Sequence, residues 1–122
     1  MPDRSGPESL EAFRDLPYLY LTTTGRVSNR PHEIEIWFVV HHGSFYIFAE
    51  TFHRADWVKN IARNPRVRVR VGDRTFDATA AVLDQTRDAD TWNTVQDLAR
   101  GKFGWGDGLP VRITPAPPAA AG

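Results

Sequence analysis

Two short turns between β-type segments constrain the fold of this chain more than any other feature. Residues 66–71 alternate arginine with valine, Gly72-Asp73 follows at once, and a second β-type segment returns over residues 74–83. The turn at residues 41–44 separates two further β-type segments in the same way. A parallel strand pair needs a crossover of a dozen or more residues. These turns therefore predict antiparallel pairing and exclude a doubly wound parallel sheet.

The segment before the turn at residues 41–44 shows the clearest period of two. Its apolar face carries Ile34, Ile36 and Phe38, and the alternate positions are Glu33, Glu35 and Trp37. This pattern predicts a strand with one face in a core and one face toward solvent. The returning segment at residues 45–49 is apolar on both faces, which predicts a strand that is covered on both sides.

Three helices are predicted around these strands. Ser9 is a plausible N-cap for a short helix over residues 9–14, and Asn64-Pro65 ends a second helix that starts near residue 55. The third helix spans residues 89–100 and has one apolar side, formed by Trp92, Val95, Gln96 and Ala99.

Further strands are expected at residues 18–23 and 111–113, the latter preceded by a glycine-rich loop over residues 101–108. Many short antiparallel strands with few helices predict a mainly β (α+β) domain. We expect a small β-barrel of about six antiparallel strands with two or three short peripheral helices.

Length and composition limit the domain count and the partners. The 122 residues suit one domain, expected over residues 1–114, with a flexible start at residues 1–8 and a disordered Pro/Ala tail at residues 115–122. Fifteen basic residues balance fifteen acidic ones, so no global field favours nucleic acid or an anionic membrane. Cysteine is absent, and no signal peptide or run of 18 apolar residues is found. The expectation is a cytoplasmic protein without a membrane span.

A base-rich turn is the best candidate for ligand binding. Residues 22–32 contain Arg26, Arg30 and His32 with hydroxyl side chains and a glycine, but no acidic residue. Charged donors and backbone amides of this kind suit a phosphate or a carboxylate. A second turn with Thr51 and Arg54 precedes a predicted helix, whose N-terminal amides also favour an anion.

Two tryptophans extend this candidate site. Trp37 and Trp57 provide flat apolar surfaces near the two turns, against which a planar ring can lie. Together these features predict a site for a planar molecule with an anionic end.

Searches for catalytic side chains and metal ligands find little. Ser28 lacks a G-x-S-x-G context, and the four histidines lack the spacing of helical zinc ligands. Glu33 and Glu35 are better explained by pairing across strands with Arg66, Arg68 and Arg70, or by a solvated face, than by acid-base catalysis. We therefore predict no catalytic side chain and no metal site.

Three segments of the chain resemble the deazaflavin-dependent nitroreductase family. They are LTTTGRVSNRPH at residues 21–32, EIWF at residues 35–38 and DWVKNIARNPRV at residues 56–67. The family belongs to the wider split β-barrel flavin-binding group, which includes the pyridoxamine phosphate oxidases. The resemblance covers about residues 18–83 and implies a split β-barrel.

The resemblance also implies a cofactor, reduced coenzyme F420, which supplies a hydride to a small quinone, nitro or enone-type acceptor. By position the cofactor would contact the turn that follows the first strand, the strand beneath the ring system, and a wall on the phosphate side. The family's lysine near the second turn is absent here, so Arg54 would take over the phosphate. The implied cofactor-binding residues are Arg26, Val27, Ser28, His32, Ile36, Trp37, Ala49, Glu50, Thr51, Arg54, Trp57 and Asn60.

Several alternatives remain open at this level. Split barrels of this type also bind FMN, which makes an FMN-binding oxidoreductase the second candidate. A noncatalytic protein that binds a cofactor or a lipid-like molecule is the third. Residues 101–106 stand where the family has a tyrosine-bearing segment that closes over substrate, and the sequence is compatible with a monomer or a homodimer.

Overall fold

Six antiparallel strands form a closed barrel. The computed structural model describes residues 7–116, with side chains from Leu10 onward. The strands follow the order β1-β2-β3-β6-β5-β4, and β4 pairs with β1 to close the barrel. They are β1 (Tyr18–Thr24), β2 (Pro31–His41), β3 (Ser44–Ala49), β4 (Arg66–Val71), β5 (Arg74–Val82) and β6 (Leu109–Pro115).

Short helices surround this barrel. Two are α-helices, α1 (Asp56–Arg63) and α2 (Ala89–Phe103), and two are 3₁₀ helices, Pro7–Phe13 and Phe52–Arg54. The predicted fold class, a mainly β split barrel with a few peripheral helices, is confirmed.

Some element ends differ from the sequence-based expectation. Helix α2 continues to Phe103, past the predicted end at residue 100, and Gly104 terminates it with a φ of 78°, a conformation that suits glycine. The expected loop over residues 101–108 therefore begins only at Gly104. The first helix is a 3₁₀ helix that starts at Pro7, so Ser9 lies within it and not at its N-cap.

The predicted termini are only partly described. Strand β6 extends to Pro115, and the Ala116 N–H donates to the carbonyl of Asp77 in β5 at 2.7 Å. The first two residues of the expected tail, Pro115 and Ala116, therefore belong to the ordered barrel. The expected flexible start overlaps the 3₁₀ helix at Pro7. Residues 1–6 and 117–122 lie outside the described residues, and the predictions for them stay predictions.

Apolar side chains pack in two clusters, one inside the barrel and one outside it. The inner cluster includes Phe38, Phe45 and Ile47, while Tyr46 and Phe48 of the same hairpin belong to the outer cluster beneath α2. Strand β3 is therefore buried on both faces, as its sequence predicted. The four residues predicted for the apolar side of α2 are its buried residues: Trp92, Val95, Gln96 and Ala99.

The register of β2 creates an opening in the barrel wall. β2 pairs with β1 from Pro31 to Trp37 but pairs with β3 only from Phe38 to His41. The two strands separate at this point, and the chain after Ala49 turns away into the short 3₁₀ helix and α1. The first half of β2 therefore borders a groove on the side away from β1.

Two arginines of the outer sheet face pair across strands, and one of these pairs, Glu33 with Arg70, was expected. Arg70 of β4 lies 3.3 Å from a carboxylate oxygen of Glu33 on β2 and 4.1 Å from the ring centre of Tyr20, which lies between them on β1. Arg68 pairs with Asp77 of β5 at 3.2 Å. Because these groups are exposed, each pair contributes about 0–1 kcal/mol to stability.

Phe45 provides a test of the inner core. Its side chain is fully buried and its ring packs against Phe13, Phe38 and Phe76, with ring centres 5.4–6.4 Å apart. We expect Phe45→Ala to lower the free energy of unfolding by about 3–5 kcal/mol, measured by urea denaturation. Val27→Ala, at a side chain that is 88% exposed, is the control and should change it by about 0.5 kcal/mol or less. Equal losses in the two variants would contradict this core assignment.

Candidate functional site

A groove runs between the free edge of β2 and the segment that follows β3. It consists of an aromatic cleft of about 690 Å³ and a polar cleft of about 510 Å³, which share Ile34 and Trp57. The aromatic cleft is also lined by Glu35, Ile36, Trp37, Phe48, Glu50, Thr51, Ala55, Ala99, Phe103 and Trp105. The polar cleft is also lined by Thr23, Gly25, Arg26, Val27, Ser28, His32, Glu33, Asp56 and Asn60.

Stacked rings form one wall of the aromatic cleft. Trp37 of β2 lies parallel to Phe103 at the end of α2, with ring centres 4.6 Å apart and an interplanar angle of 10°. Trp57 and Trp105 also border this cleft. The indole of Trp37 is still 48% exposed, so a planar ligand has apolar surface available here.

Helix α2 fixes the segment that carries Trp105. The Gln96 side chain donates to the carbonyl of Gly108 at 3.0 Å, and Arg100 donates to carboxylates of Asp97 and Asp107 at 2.8 and 2.7 Å. A Cβ at Gly108 would lie 2.9 Å from the carbonyl oxygen of Ala49, so glycine permits close contact with β3. The predicted glycine-rich loop is thus held as a wall of the aromatic cleft.

Lys102 connects α2 to the segment before β1 and to β2. Its ammonium donates to the carbonyls of Arg14, Leu16 and Phe38 at 2.6–3.0 Å, and it lies 4.3 Å from the ring centre of Phe38. Burial lowers the pKa of Lys102 below its ordinary value, although nearby Asp15 opposes that change. These contacts hold the last turn of α2, and with it Phe103, against β2.

Asn60 organises the polar cleft. It is 5% exposed, and its Oδ1 accepts hydrogen bonds from the backbone N–H of Arg26 at 3.1 Å and from Nη1 of Arg26 at 2.9 Å. Its Nδ2 donates to the hydroxyl of Thr23 at 3.1 Å. Asn60 was expected beside the phosphate. The hydrogen bonds add a second role, because they join α1 to β1 and hold the base-rich turn.

The guanidinium of Arg26 uses only some of its N–H donors in hydrogen bonds to neighbouring groups. It also donates to the carbonyl and to a carboxylate oxygen of Asp56, both at 3.4 Å. With the bond to Asn60, these contacts use three of the five N–H donors that a guanidinium carries. The Asp56 side chain is 83% exposed, and the long distance indicates a weak ion pair that an incoming anion can displace.

A close approach in the turn brings two further polar groups together. Oγ of Ser28 and Nε2 of His32 lie 3.3 Å apart. A Cβ at Gly25 would lie 2.6 Å from both atoms, so only glycine leaves room for this arrangement. Ser28 also accepts a hydrogen bond from the backbone N–H of Arg30 at 3.1 Å. Ser28, His32 and Arg26 therefore offer polar groups to one cleft.

Most of the residues implied for the site meet in this groove, and two lie apart from it. Ala49 is 1% exposed in the outer core cluster, and Arg54 is exposed at the end of the short 3₁₀ helix; neither lines a cleft. The expected replacement of the family's lysine by Arg54 thus has no support from its position. The residues that line one of the clefts are Arg26, Val27, Ser28, His32, Ile36, Trp37, Glu50, Thr51, Trp57 and Asn60.

Sequence reasoning did not place the far wall of the groove. Phe103 and Trp105 were noted only as part of the segment that replaces a substrate-closing element, and Phe48 was noted only as part of a strand. The aromatic content of residues 103–105 was the available signal. It did not show that this segment folds back beside β2, because that contact depends on the packing of α2.

The charged groups differ between the two clefts. Glu35 and Glu50 are the charged residues that line the aromatic cleft, whereas Arg26, Glu33 and Asp56 line the polar one. The neighbouring Glu35 carboxylate raises the pKa of the Tyr20 hydroxyl above its ordinary value. Among the described residues, no cluster of three or more histidine, aspartate or glutamate side chains could hold a metal ion. No helix in that part of the chain is long and apolar enough to cross a membrane.

A split barrel whose wall opens into a groove with an aromatic end and a polar, arginine-bearing end has the shape and lining that are typical of a small-molecule site. A profile of the F420H(2)-dependent quinone reductase family matches residues 3–114. The chain therefore belongs to this family, and the resemblance seen in the sequence is confirmed. A search of curated proteins found no relative of this chain.

Solved structures support the same fold. An F420-H2 dependent reductase (FDR-A) is 25% identical, with 81% of this chain and 94% of that chain covered and a TM-score of 0.62. HutZ, a heme storage protein from Vibrio cholerae, is 22% identical, with coverage of 91% and 90% and a TM-score of 0.70. A putative pyridoxamine 5'-phosphate oxidase from Listeria innocua is 17% identical, with coverage of 91% and 94% and a TM-score of 0.65.

The contacts of Arg100 lead to a prediction about the wall formed by residues 104–108. We expect Arg100→Gln to release Asp97 and Asp107 and to speed amide hydrogen exchange in this segment about tenfold, because its local opening becomes easier. Mass-spectrometric hydrogen exchange measures the effect. Arg14→Gln, which breaks an exposed pair with Glu11, is the matched control and should leave the segment unchanged. Unchanged exchange in Arg100→Gln would show that Arg100 does not hold this wall.

Proposed function

We propose that this protein is an oxidoreductase that uses reduced coenzyme F420 to reduce a small quinone, nitro or enone-type acceptor. The observation that carries the proposal is a single groove whose aromatic end suits a planar ring and whose other end offers Arg26, Ser28 and His32 to an anion. Membership in the F420H(2)-dependent quinone reductase family supports it. Among the three acceptor types, the family description favours the quinone.

The residues present fit such a cofactor in two ways. The uncommitted donors of Arg26 and the Ser28 hydroxyl can hydrogen bond to phosphate oxygens, and Asn60 holds Arg26 in place for this contact. Trp37, with its stacked neighbour Phe103, offers a flat face to a ring system lying along β2. Two acidic groups also line the polar cleft: Glu33 is paired with Arg70, and Asp56 is exposed and only weakly paired with Arg26.

When bound, reduced F420 supplies a hydride and a proton, which together convert a quinone to a hydroquinone. The protein's own residues then position donor and acceptor and keep water from the ring faces. In this proposal Arg26, Ser28 and His32 hold the anionic end, while Ile36, Trp37 and Trp57 border the ring. No side-chain acid or base is required for the hydride step, which agrees with the absence of a catalytic triad pattern in the sequence.

FMN-dependent oxidoreduction and noncatalytic binding of a cofactor or lipid-like molecule are the alternatives. Titration of the purified protein with reduced F420 and with FMN separates the three. Micromolar binding of reduced F420 with quinone turnover supports the proposal. Tight FMN binding supports the second function, and binding without turnover of any quinone supports the third.

A homodimer is a further part of the proposal. Tyr18 and Trp37 are neighbours in the β1-β2 register, and both are partly exposed aromatic residues on the outer sheet face. Aromatic residues are enriched at the centre of interfaces, and the rim around them is polar. Analytical ultracentrifugation distinguishes a monomer from a dimer. A protein that stays monomeric at about 100 µM would contradict the proposed homodimer.

Arg26 and Asp56 provide opposite tests of the anion-binding end. We expect Arg26→Ala to weaken binding of reduced F420 by about 1–3 kcal/mol, because a charge-assisted hydrogen bond is lost. Asp56→Asn should strengthen binding several-fold, because the carboxylate no longer competes for Arg26. Isothermal titration calorimetry measures both dissociation constants.

Arg54→Ala is the control for these variants, because it removes an arginine of the same region that lines neither cleft. We expect it to change the dissociation constant by less than about twofold, within the range of a surface substitution. Unchanged affinity in Arg26→Ala, or weaker binding in Asp56→Asn, would contradict the assignment.

A further inference from the structure

We propose that the aromatic cleft selects acceptors by charge: it accepts flat molecules that are uncharged or cationic and rejects anionic ones. The residues responsible are Glu35 and Glu50. This inference rests on the proposed function, because it concerns the acceptor that shares the groove with the cofactor. It adds a specificity that neither the family description nor the named structural relatives state.

The lining of the cleft carries the inference. Its surface is mainly apolar, and the charged side chains that border it are the two carboxylates. Within residues 10–116 neither carboxylate forms an ion pair with an arginine or a lysine. Arg70 lies in register with Glu35, since both are opposite Tyr20 of β1, but Arg70 is paired with Glu33.

The two carboxylates approach the cleft from different elements. Glu35 lies on the first half of β2, opposite Tyr20 in the β1-β2 register. Glu50 follows β3 directly, at the position where the chain turns away from β2. An acceptor that enters between the diverging strands therefore passes two negative charges.

Electrostatics in a partly enclosed groove makes this selection effective. Low-dielectric walls reduce solvent screening, so a negative substituent on the acceptor is repelled more strongly than at an open surface. A neutral quinone keeps its stacking on Trp37 and avoids this repulsion. The polar cleft differs, because its two carboxylates are each paired with an arginine, Glu33 with Arg70 and Asp56 with Arg26, and Arg26 has further donors for an anion.

The two preferences together orient the ligands. The phosphate end of a bound cofactor would be favoured beside Arg26 and disfavoured beside Glu35 and Glu50, which would leave the flat surface of Trp37 to its ring. An acceptor without negative charge can then bind in the rest of the aromatic cleft. A cofactor bound in reverse would place its anionic end beside Glu35 and Glu50.

The test compares two acceptors of the same ring system, 1,4-naphthoquinone and 1,4-naphthoquinone-2-sulfonate. For the protein loaded with reduced F420, the ratio of kcat/KM for the sulfonate to that for the neutral quinone is measured in wild type, Glu35→Gln, Glu50→Gln and the double variant. Comparing ratios between variants cancels the different intrinsic reactivities of the two quinones. Asp73→Asn removes an exposed carboxylate in a distant turn and is the control.

We expect each glutamine substitution to raise this ratio about fivefold and the double variant to raise it on the order of 20-fold. The wild-type ratio should itself rise with added salt, because screening weakens the repulsion. Asp73→Asn should match wild type. An unchanged ratio in the double variant, or a wild-type ratio that falls with salt, would overturn the inference.

A second measurement does not require the cofactor. Trp37, Trp57 and Trp105 line the cleft, so a bound naphthoquinone should quench tryptophan fluorescence of the cofactor-free protein. The double variant should gain affinity for the sulfonate and keep its affinity for the neutral quinone. If reduced F420 fails to bind but this shift occurs, the proposed function is wrong and the charge selection stands. If reduced F420 binds and reduces quinones without such a shift, the charge selection is wrong and the function stands.

Discussion

The divergence of β2 from β3 is the constraint on which the site depends. β2 spans eleven residues while β3 spans six, and the shared ladder ends at the pair Phe38 and Ile47. A completely paired wall would have filled the space in which the groove lies. Because β1 still pairs with the first half of β2, that half stays rigid although its other side borders a groove. Rigid backbone beside an opening is what a ring-binding site needs in order to position a ligand.

The walls of this opening are held by a few polar side chains that join separate elements. Asn60 connects α1 to β1 and to the base-rich turn, while Lys102 and Arg100 fix the end of α2 and the segment after it. Buried polar groups that satisfy several partners at once specify a unique arrangement, because a partly satisfied alternative leaves costly unpaired groups. The separation of charge along the groove follows from this framework. Arg26 is held at one end, and Glu35 and Glu50 border the other.

Local signals explain why much of the fold was predictable from the sequence. The alternation of Ile34, Ile36 and Phe38 and the one-sided pattern of α2 report backbone periodicity and burial directly, and both were confirmed. The ends of elements were less predictable: α2 passes Gly101 because Lys102 is anchored by backbone carbonyls that lie far away in sequence. For the candidate site, the turn with Arg26 and the strand with Trp37 were identified, but Phe103 and Trp105 were not placed there. Their contribution depends on how α2 docks.

The sequence by itself determined the antiparallel barrel, the two turns and the types of residue available for an anion and a planar ring, because these follow from local pattern and chemistry. Only the tertiary structure decided which of these residues share a cavity. It brought Arg26 to Asn60 and Asp56, and it left Arg54 outside both clefts although Arg54 lies only two residues from Asp56. The physical reason is that a site is formed by contacts between distant segments. Such contacts depend on strand register and helix packing, which no single segment encodes.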